Sequence, residues 1–361
     1  MRILLTKLKH IGDALLMTPT IGAIRANYPD AEIVVVVRKG TEGILKGCTA
    51  IDRLLTAAAP EEHRRSAWNW LEDLRMIVEL RRKRFDYAFE LSDGDRGRWI
   101  CALARAAVRV TSDAYGKLFP VWKMVFGSRS DFVWGFRHRV EKDFFTASLH
   151  LKLGDTPPGL GFARARAEES WASEAAGGRC IVFHPATRMP EKLWPEDRWI
   201  EVGSAMRASG CRIVISVGPS ADEIAMGERI AGAIGPEAFS TRGVLSWPQL
   251  AHLLYSARLF VGVDTAAMHL AAACGCPTVA IFGLASITQW RPWQCPNRVL
   301  SGLGEMEELP AAAARIDNPI LRVTVQAVLA AVREMESETS PRENPGALEQ
   351  RTSNAQGRKG E

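Results

Sequence analysis

The segment Val261-Gly-Val-Asp-Thr-Ala-Ala-Met-His269 brings a carboxylate, a hydroxyl and an imidazole to the start of an apolar helical run. A strand ending at Val263, with a helix beginning within two residues, leaves free N–H groups and the positive end of the helix dipole facing the mouth of a sheet. Open α/β sheets bind phosphates at such turns. Asp264 or Thr265 can cap the helix, and His269 falls one turn after Thr265 on the same face. A plain capped helix with a buried histidine accounts for the same pattern.

Three further loops carry polar chemistry after a strand. In His184-Pro-Ala-Thr-Arg-Met-Pro-Glu-Lys-Leu-Trp-Pro195, Thr187, Arg188 and Lys192 put one hydroxyl and two cations into a strand-to-helix loop. Such groups suit a diphosphate leaving group, although solvated surface cations fit equally. In Lys9-His-Ile-Gly-Asp13, Gly12 permits close backbone approach or a positive φ. Asp13 is either a helix cap or a general base at the cleft, a role that contributes ~10²–10⁴ in rate. In Gly218-Pro-Ser-Ala-Asp-Glu223, an acidic side chain can take ribose hydroxyls or mark a helix start. Arg81–Arg84 reads as a solvated helix end. The aromatic and basic mix from Trp122 to Arg139 reads as packing beneath cations, with an amphiphilic acceptor surface as the other possibility.

These loops need a scaffold of alternating strands and helices. Arg2–Thr6, Glu32–Val37, Ile51–Leu55 and Tyr87–Leu91 read as strands, with helices over Ala14–Asn27 and Trp68–Arg84. Ile33–Val37 is continuously apolar, the mark of a strand buried on both faces. The pattern restarts at Cys180–His184. Strands follow at Arg212–Val217, Phe239–Thr241, Leu259–Val263 and Thr278–Phe282, with helices at Pro195–Ser209, Asp222–Ile234, Trp247–Ser256 and Ala266–Cys274. The expectation is an α/β chain of two doubly wound, Rossmann-like domains facing each other across a cleft. The first covers residues 1–165 and the second 179–319, joined near Ala163–Gly178. A final helix spans 320–335, and the polar tail 336–361 is expected to be disordered.

Composition limits the function classes. Lys plus Arg number 46 against 41 acidic residues, a net +5 too mild to call for nucleic acid but suited to an anionic substrate or membrane edge. The seven cysteines form no CxxC and no Cys/His ligand set, so they read as buried thiols in a reducing compartment rather than a metal site. No apolar run reaches the ~18 residues of a membrane span. Lys7, Lys9, His10 and Asp13 interrupt what a signal peptide would need to be apolar, so a cytoplasmic protein is expected.

Gly12-Asp13 with Pro19, Lys192-Leu-Trp-Pro195, and Asp264-Thr-Ala-Ala-Met-His269 followed by Cys276-Pro-Thr-Val-Ala-Ile-Phe-Gly283 occur in one order and spacing. Together they resemble the bacterial lipopolysaccharide heptosyltransferases of glycosyltransferase family 9, from Met1 to about Arg333. Gln289-Trp-Arg-Pro-Trp293 looks most like the heptosyltransferase III branch. The resemblance implies the GT-B fold and an inverting, metal-independent transfer of heptose from ADP-heptose to the inner core of lipopolysaccharide, with no cofactor. It implies Asp13 as the base and Lys192, with Thr187 nearby, at the departing diphosphate. Asp264, Thr265, Ala266 and His269 would meet the phosphates, and Glu223 the ribose. Gly12 and Arg188 join the expected donor site. A peripheral position on the cytoplasmic face of the inner membrane follows from a membrane-anchored acceptor. Family members often read Asp-Thr-Gly-Pro-Met-His, whereas Ala266 and Ala267 stand here. Alanine keeps the N–H group but makes the turn less permissive. The competing readings are a sugar-nucleotide epimerase of the same fold and a non-catalytic nucleotide-sugar binding module. The joint presence of Asp13 and Lys192 disfavours the latter.

Overall fold

The computed structural model describes residues 1–59, 67–163, 180–303 and 318–338. The first sheet contains β1 (Arg2–Lys7), β2 (Glu32–Arg38), β3 (Arg53–Ala57), β4 (Arg84–Glu90), β5 (Arg105–Ser112) and β6 (Ser128–Ser130), in the order β3-β2-β1-β4-β5-β6. The second contains β7 (Cys180–His184), β8 (Arg212–Ile215), β9 (Ala238–Ser240), β10 (Leu259–Val263), β11 (Thr278–Phe282) and β12 (Asn297–Ser301), in the order β12-β11-β10-β7-β8-β9. Every pairing is parallel. Counted from its own first strand, each half has the same order, which reverses between β1 and β4 and between β7 and β10. At such reversals the strand ends open a crevice for ligands. The Asp13 and Asp264 turns follow β1 and β10, one at each crevice.

The helices of the first half are α1 (Ile11–Leu16), α2 (Thr18–Asn27), α3 (Ala67–Arg81), α4 (Asp95–Leu103), α5 (Pro120–Val125) and α6 (Arg139–Ser148). Those after β7 are α7 (Glu196–Ala208), α8 (Ala221–Ile234), α9 (Trp247–Ser256), α10 (Ala266–Ala273), α11 (Ile287–Trp290) and α12 (Val325–Glu338). Ile33–Val37 of β2 are fully buried, as their unbroken apolar run requires. On one face of the first sheet, Met76 and Leu80 of α3, Ile100 of α4 and Trp122 of α5 share a core with Leu4 and Val36. The other face is covered by a larger core that includes Leu15 of α1 and Val140 of α6 and continues into Leu250 of α9 and Met268 of α10. The two halves are therefore packed together, with α1 resting on α10.

Several element limits differ from the sequence expectation for identifiable reasons. The single helix expected over Ala14–Asn27 is two, because Pro19 has no N–H for the carbonyl of Leu15. The Thr18 hydroxyl donates to that carbonyl instead, at 2.7 Å. The helix expected to reach Arg84 stops at Arg81, and Arg84 opens β4. The strand expected at Ile51–Leu55 lies at Arg53–Ala57. The terminal helix begins at Val325 rather than Ile320. Pro319–Arg322 forms a tighter 3₁₀ turn, and the Thr324 hydroxyl accepts the Ala327 N–H at 3.2 Å as the cap. The same helix runs to Glu338, so its last turn includes three residues assigned to the tail. Apart from Ala163, the connection expected within Ala163–Gly178 lies outside the described residues, as does the tail from residue 339.

Candidate active site

Lys192 closes the 3₁₀ turn Pro190–Lys192, which two long-range bonds hold in place. Asn318 donates to the Glu191 carbonyl at 3.0 Å, and the buried Trp194 indole donates to the Val323 carbonyl at 3.0 Å. The fixed turn delivers the ammonium to Asp264, with Nζ 2.5 Å from Oδ2. Asp264 is buried at the end of β10, a fully buried strand. Thr265 is the extended N-cap residue of α10, yet its side chain makes no capping bond. Its buried Oγ1 has no hydrogen-bond partner in the protein, and neither has the buried Nδ1 of His269. Thus the first turn of α10 presents backbone donors, an unengaged hydroxyl and an ammonium within one small volume. A phosphate oxygen would satisfy all three.

The first half meets this turn directly. A Cβ added to Gly12 would lie 3.2 Å from His269 Cδ2 and 3.6 Å from Ala266 Cα. Of the two uses for Gly12, close approach is therefore the one realised. His269 is buried between the halves. Burial lowers its pKa, Asp264 and Asp13 pull the other way, and Lys192 adds to the lowering. Gly12, Asp13, Lys192, Asp264, Ala266 and His269 thus form one neighbourhood.

Asp13 itself is buried. Its Oδ2 accepts the His10 N–H at 3.3 Å, and its Oδ1 lies 3.7 Å from Arg139 Nε. Arg139 also contacts Asp93 at 3.2 Å and donates to the Leu91 carbonyl at 3.0 Å. Lys142 pairs with Asp93, and Lys7 with Asp143 at 2.5 Å, both members of the latter pair fully buried. Burial, reinforced by Arg139, brings the Lys7 ammonium down to about 8. Partial burial pushes the Asp93 carboxyl up, but Lys142 and Arg139 outweigh it and hold it at about 2. Asp93 also sits at φ +59, a conformation in which this cage of cations holds it.

These cage residues were not singled out in the sequence. The available signal is that Arg139, Lys142 and Asp143 share one face of a helix at i, i+3 and i+4, with a lysine at the end of β1 after its apolar run Ile3–Leu5. The packing reading of the aromatic stretch fits where Arg137 lies over the Phe132 ring at 5.0 Å and Arg139 over Trp134 at 5.4 Å.

The other expected site residues are held within their own loops or exposed. The Thr187 hydroxyl accepts the Met189 N–H at 3.2 Å within its own loop, and Arg188 is exposed. Glu223 lies in the first turn of α8, where its carboxylate folds over Gly218 and would have to swing aside for a Cβ there.

His138 ties the halves together. Its Nδ1 accepts the Val140 N–H at 3.2 Å, so Nε2 donates to the Arg291 carbonyl at 2.9 Å, and the ring stacks on Trp293 at 4.7 Å. Burial pushes its pKa down to about 3, aided by His269. An unfolded histidine protonates near ~6.5, so below that pH the unfolded chain binds a proton that the folded chain does not. His138 therefore favours the folded state fully above pH ~6.5, and that contribution is lost as pH falls toward 3. Urea midpoints at neutral and mildly acidic pH should drop in acid, and the drop should be smaller in His138→Gln. An equal drop in both proteins would exclude His138 as a source.

Two doubly wound sheets, with a helix start suited to an anion on one wall of the crevice and a buried carboxylate on the other, fit an enzyme of glycosyl transfer. The profile of glycosyltransferase family 9 (heptosyltransferase) matches residues 74–314, and the chain belongs to that family. It is 28% identical over 334 residues to lipopolysaccharide heptosyltransferase 3 of Escherichia coli, covering 89% of this chain and 95% of that one. Lipopolysaccharide heptosyltransferase 1 of Pseudomonas aeruginosa is 27% identical over 78% of this chain and 79% of its own. Among solved structures, a family 9 glycosyl transferase from Veillonella parvula superposes with a TM-score of 0.81 at 20% identity, covering 94% of this chain and 98% of that one. An E. coli heptosyltransferase solved with ADP gives 0.74 at 21% identity, covering 93% and 100%. These likenesses agree with the GT-B fold expected from the sequence, and the chain is an enzyme of glycosyl transfer.

Proposed function

We propose that the enzyme transfers heptose from ADP-heptose to a hydroxyl of the lipopolysaccharide inner core, with inversion and without a metal. One observation carries this reading: the Gly12-Asp13 turn packs on Ala266 and His269, so a carboxylate and an anion-binding helix start share one crevice. Asp13 takes the proton of the acceptor hydroxyl as its oxygen bonds to the anomeric carbon. The bond from that carbon to the diphosphate oxygen breaks, and its electron pair leaves with ADP. Attack from the face opposite the leaving group inverts the centre.

Lys192 and the N–H groups at the start of α10 take up the charge that builds on the diphosphate, the work a metal ion does elsewhere. Among the described residues no cluster of three or more His, Cys, Asp or Glu is arranged to hold a metal. Thr265 and His269 bind phosphate oxygens, Thr187 and Arg188 extend the cationic loop beside them, and Glu223 takes the ribose. Support for the donor comes from the relatives, since one solved E. coli heptosyltransferase is described with ADP-2-deoxy-2-fluoro heptose. No helix among the described residues is long and apolar enough to cross a membrane. Peripheral attachment to the cytoplasmic face of the inner membrane brings the enzyme to an anchored acceptor.

Incubation with ADP-heptose and truncated lipopolysaccharide should release ADP only when acceptor is present. Equal release without acceptor, or none from ADP-heptose, would overturn the reading.

A further inference from the structure

Large apolar side chains on the surface are concentrated in one layer of the first half. Trp70, Leu74 and Val78 of α3 are 60%, 58% and 45% exposed, and they stand at i, i+4 and i+8, a single stripe facing outward. Beside them Trp99 of α4 is 55% exposed, and Phe119 and Met124, at the cap and last turn of α5, are 71% and 86% exposed. All three helices lie on the face of the sheet away from the second half, so closure of the crevice leaves this surface uncovered. Large apolar side chains exposed on one layer in this number mark an interaction site.

Among the described residues, the charges around the stripe that have no ion-pair partner are basic. Glu72 is tied to Lys39, Asp73 to Arg96 and Glu79 to Arg53. Arg75 and Arg82 remain exposed, and they line a depression of about 500 Å³ together with Leu74 and Val78. Tryptophan and phenylalanine beside arginine match the boundary of an anionic bilayer, where rings sit at headgroup depth and guanidinium groups meet phosphate. A second copy of the chain on the same face would bring two basic patches together. Moreover α3, α4 and α5 follow the carboxyl ends of β3, β4 and β5. Trp70, Trp99 and Phe119 therefore lie near the edge of the sheet at which Asp13 stands.

We propose that the α3–α4–α5 face docks on a bilayer surface bearing anionic phospholipid, with the crevice mouth turned toward that surface. This docking rests on the peripheral location proposed above and not on the transfer chemistry. In flotation with vesicles of phosphatidylcholine and phosphatidylglycerol, the full chain should rise with the lipid, and far less with phosphatidylcholine alone. Arg75→Glu with Arg82→Glu, and separately Leu74→Glu with Met124→Glu, should each weaken vesicle binding ~10-fold or more. Both variants should keep wild-type ADP release with a deacylated, water-soluble acceptor.

Four results would each overturn the proposal: no flotation of the wild type, variants that float like it, loss of turnover on the soluble acceptor, or a dimer that Leu74→Glu dissolves. The vesicles contain neither donor nor acceptor, so a wrong assignment of the reaction leaves the flotation result intact.

Discussion

Asp13→Ala should lower acceptor-dependent ADP release by at least ~100-fold, within the range that a positioned general base contributes. The expectation rests on position. Asp13 lies in the first turn after β1, where the strand order reverses, and Gly12 brings that turn against α10. Removing the carboxylate leaves Arg139 with Asp93, the Leu91 carbonyl and Asp143, so the local structure survives. ADP affinity, measured by calorimetry, should therefore change little while turnover collapses. Asp13→Asn should resemble the alanine variant, because the amide keeps the shape but cannot take a proton. Unchanged turnover in either protein would remove Asp13 from the role of base. Equal losses of ADP affinity and turnover would instead assign it to the donor site.

Lys192→Ala should be comparably severe, ~10²–10³ in kcat/KM, the cost of removing one preorganised donor from a charge-stabilising site. Two effects combine. The developing diphosphate charge loses its ammonium, and Asp264 loses its partner at 2.5 Å and becomes an unpaired anion where phosphate must bind. The double variant Lys192→Ala with Asp264→Asn separates them: ADP affinity should recover in part, whereas turnover should not. Full recovery of turnover would mean that Lys192 serves only to neutralise Asp264. Because the donor diphosphate is anionic and Lys192 brings a cation to its site, donor affinity should also fall as ionic strength rises.

Much of the scaffold was readable because buried strands announce themselves. Ile33–Val37 and Leu259–Val263 are apolar throughout, and each is fully buried in the interior of a parallel sheet. The weaker signals belong to β5, which carries Arg105 and Arg109, and to β12, which is half exposed at a sheet edge. The turns at Gly12-Asp13 and Asp264-Thr265 were legible from strand-to-helix punctuation, and family resemblance joined them into one crevice. For Glu223 and Arg188 a loop position gives the neighbourhood, not the direction of a flexible side chain. The cage around Asp13 was hidden for another reason. In sequence nothing separates Arg139, Lys142 and Asp143 from a solvated helix face, and only tertiary packing turns that face inward onto Lys7 and Asp93.

That cage also constrains how the protein can diverge. Lys7, Arg139 and Lys142 face Asp13, Asp93 and Asp143, three cations against three anions in a largely dehydrated space. Losing one partner of a buried pair strands the other, at ~3–5 kcal/mol, whereas replacing both with apolar residues of similar volume is often neutral. Lys7 and Asp143 lie 136 positions apart in sequence, yet they must drift together. Among relatives, an uncharged residue at one position should be accompanied by an uncharged residue at the other. Random libraries should tolerate the paired exchange and reject each single one.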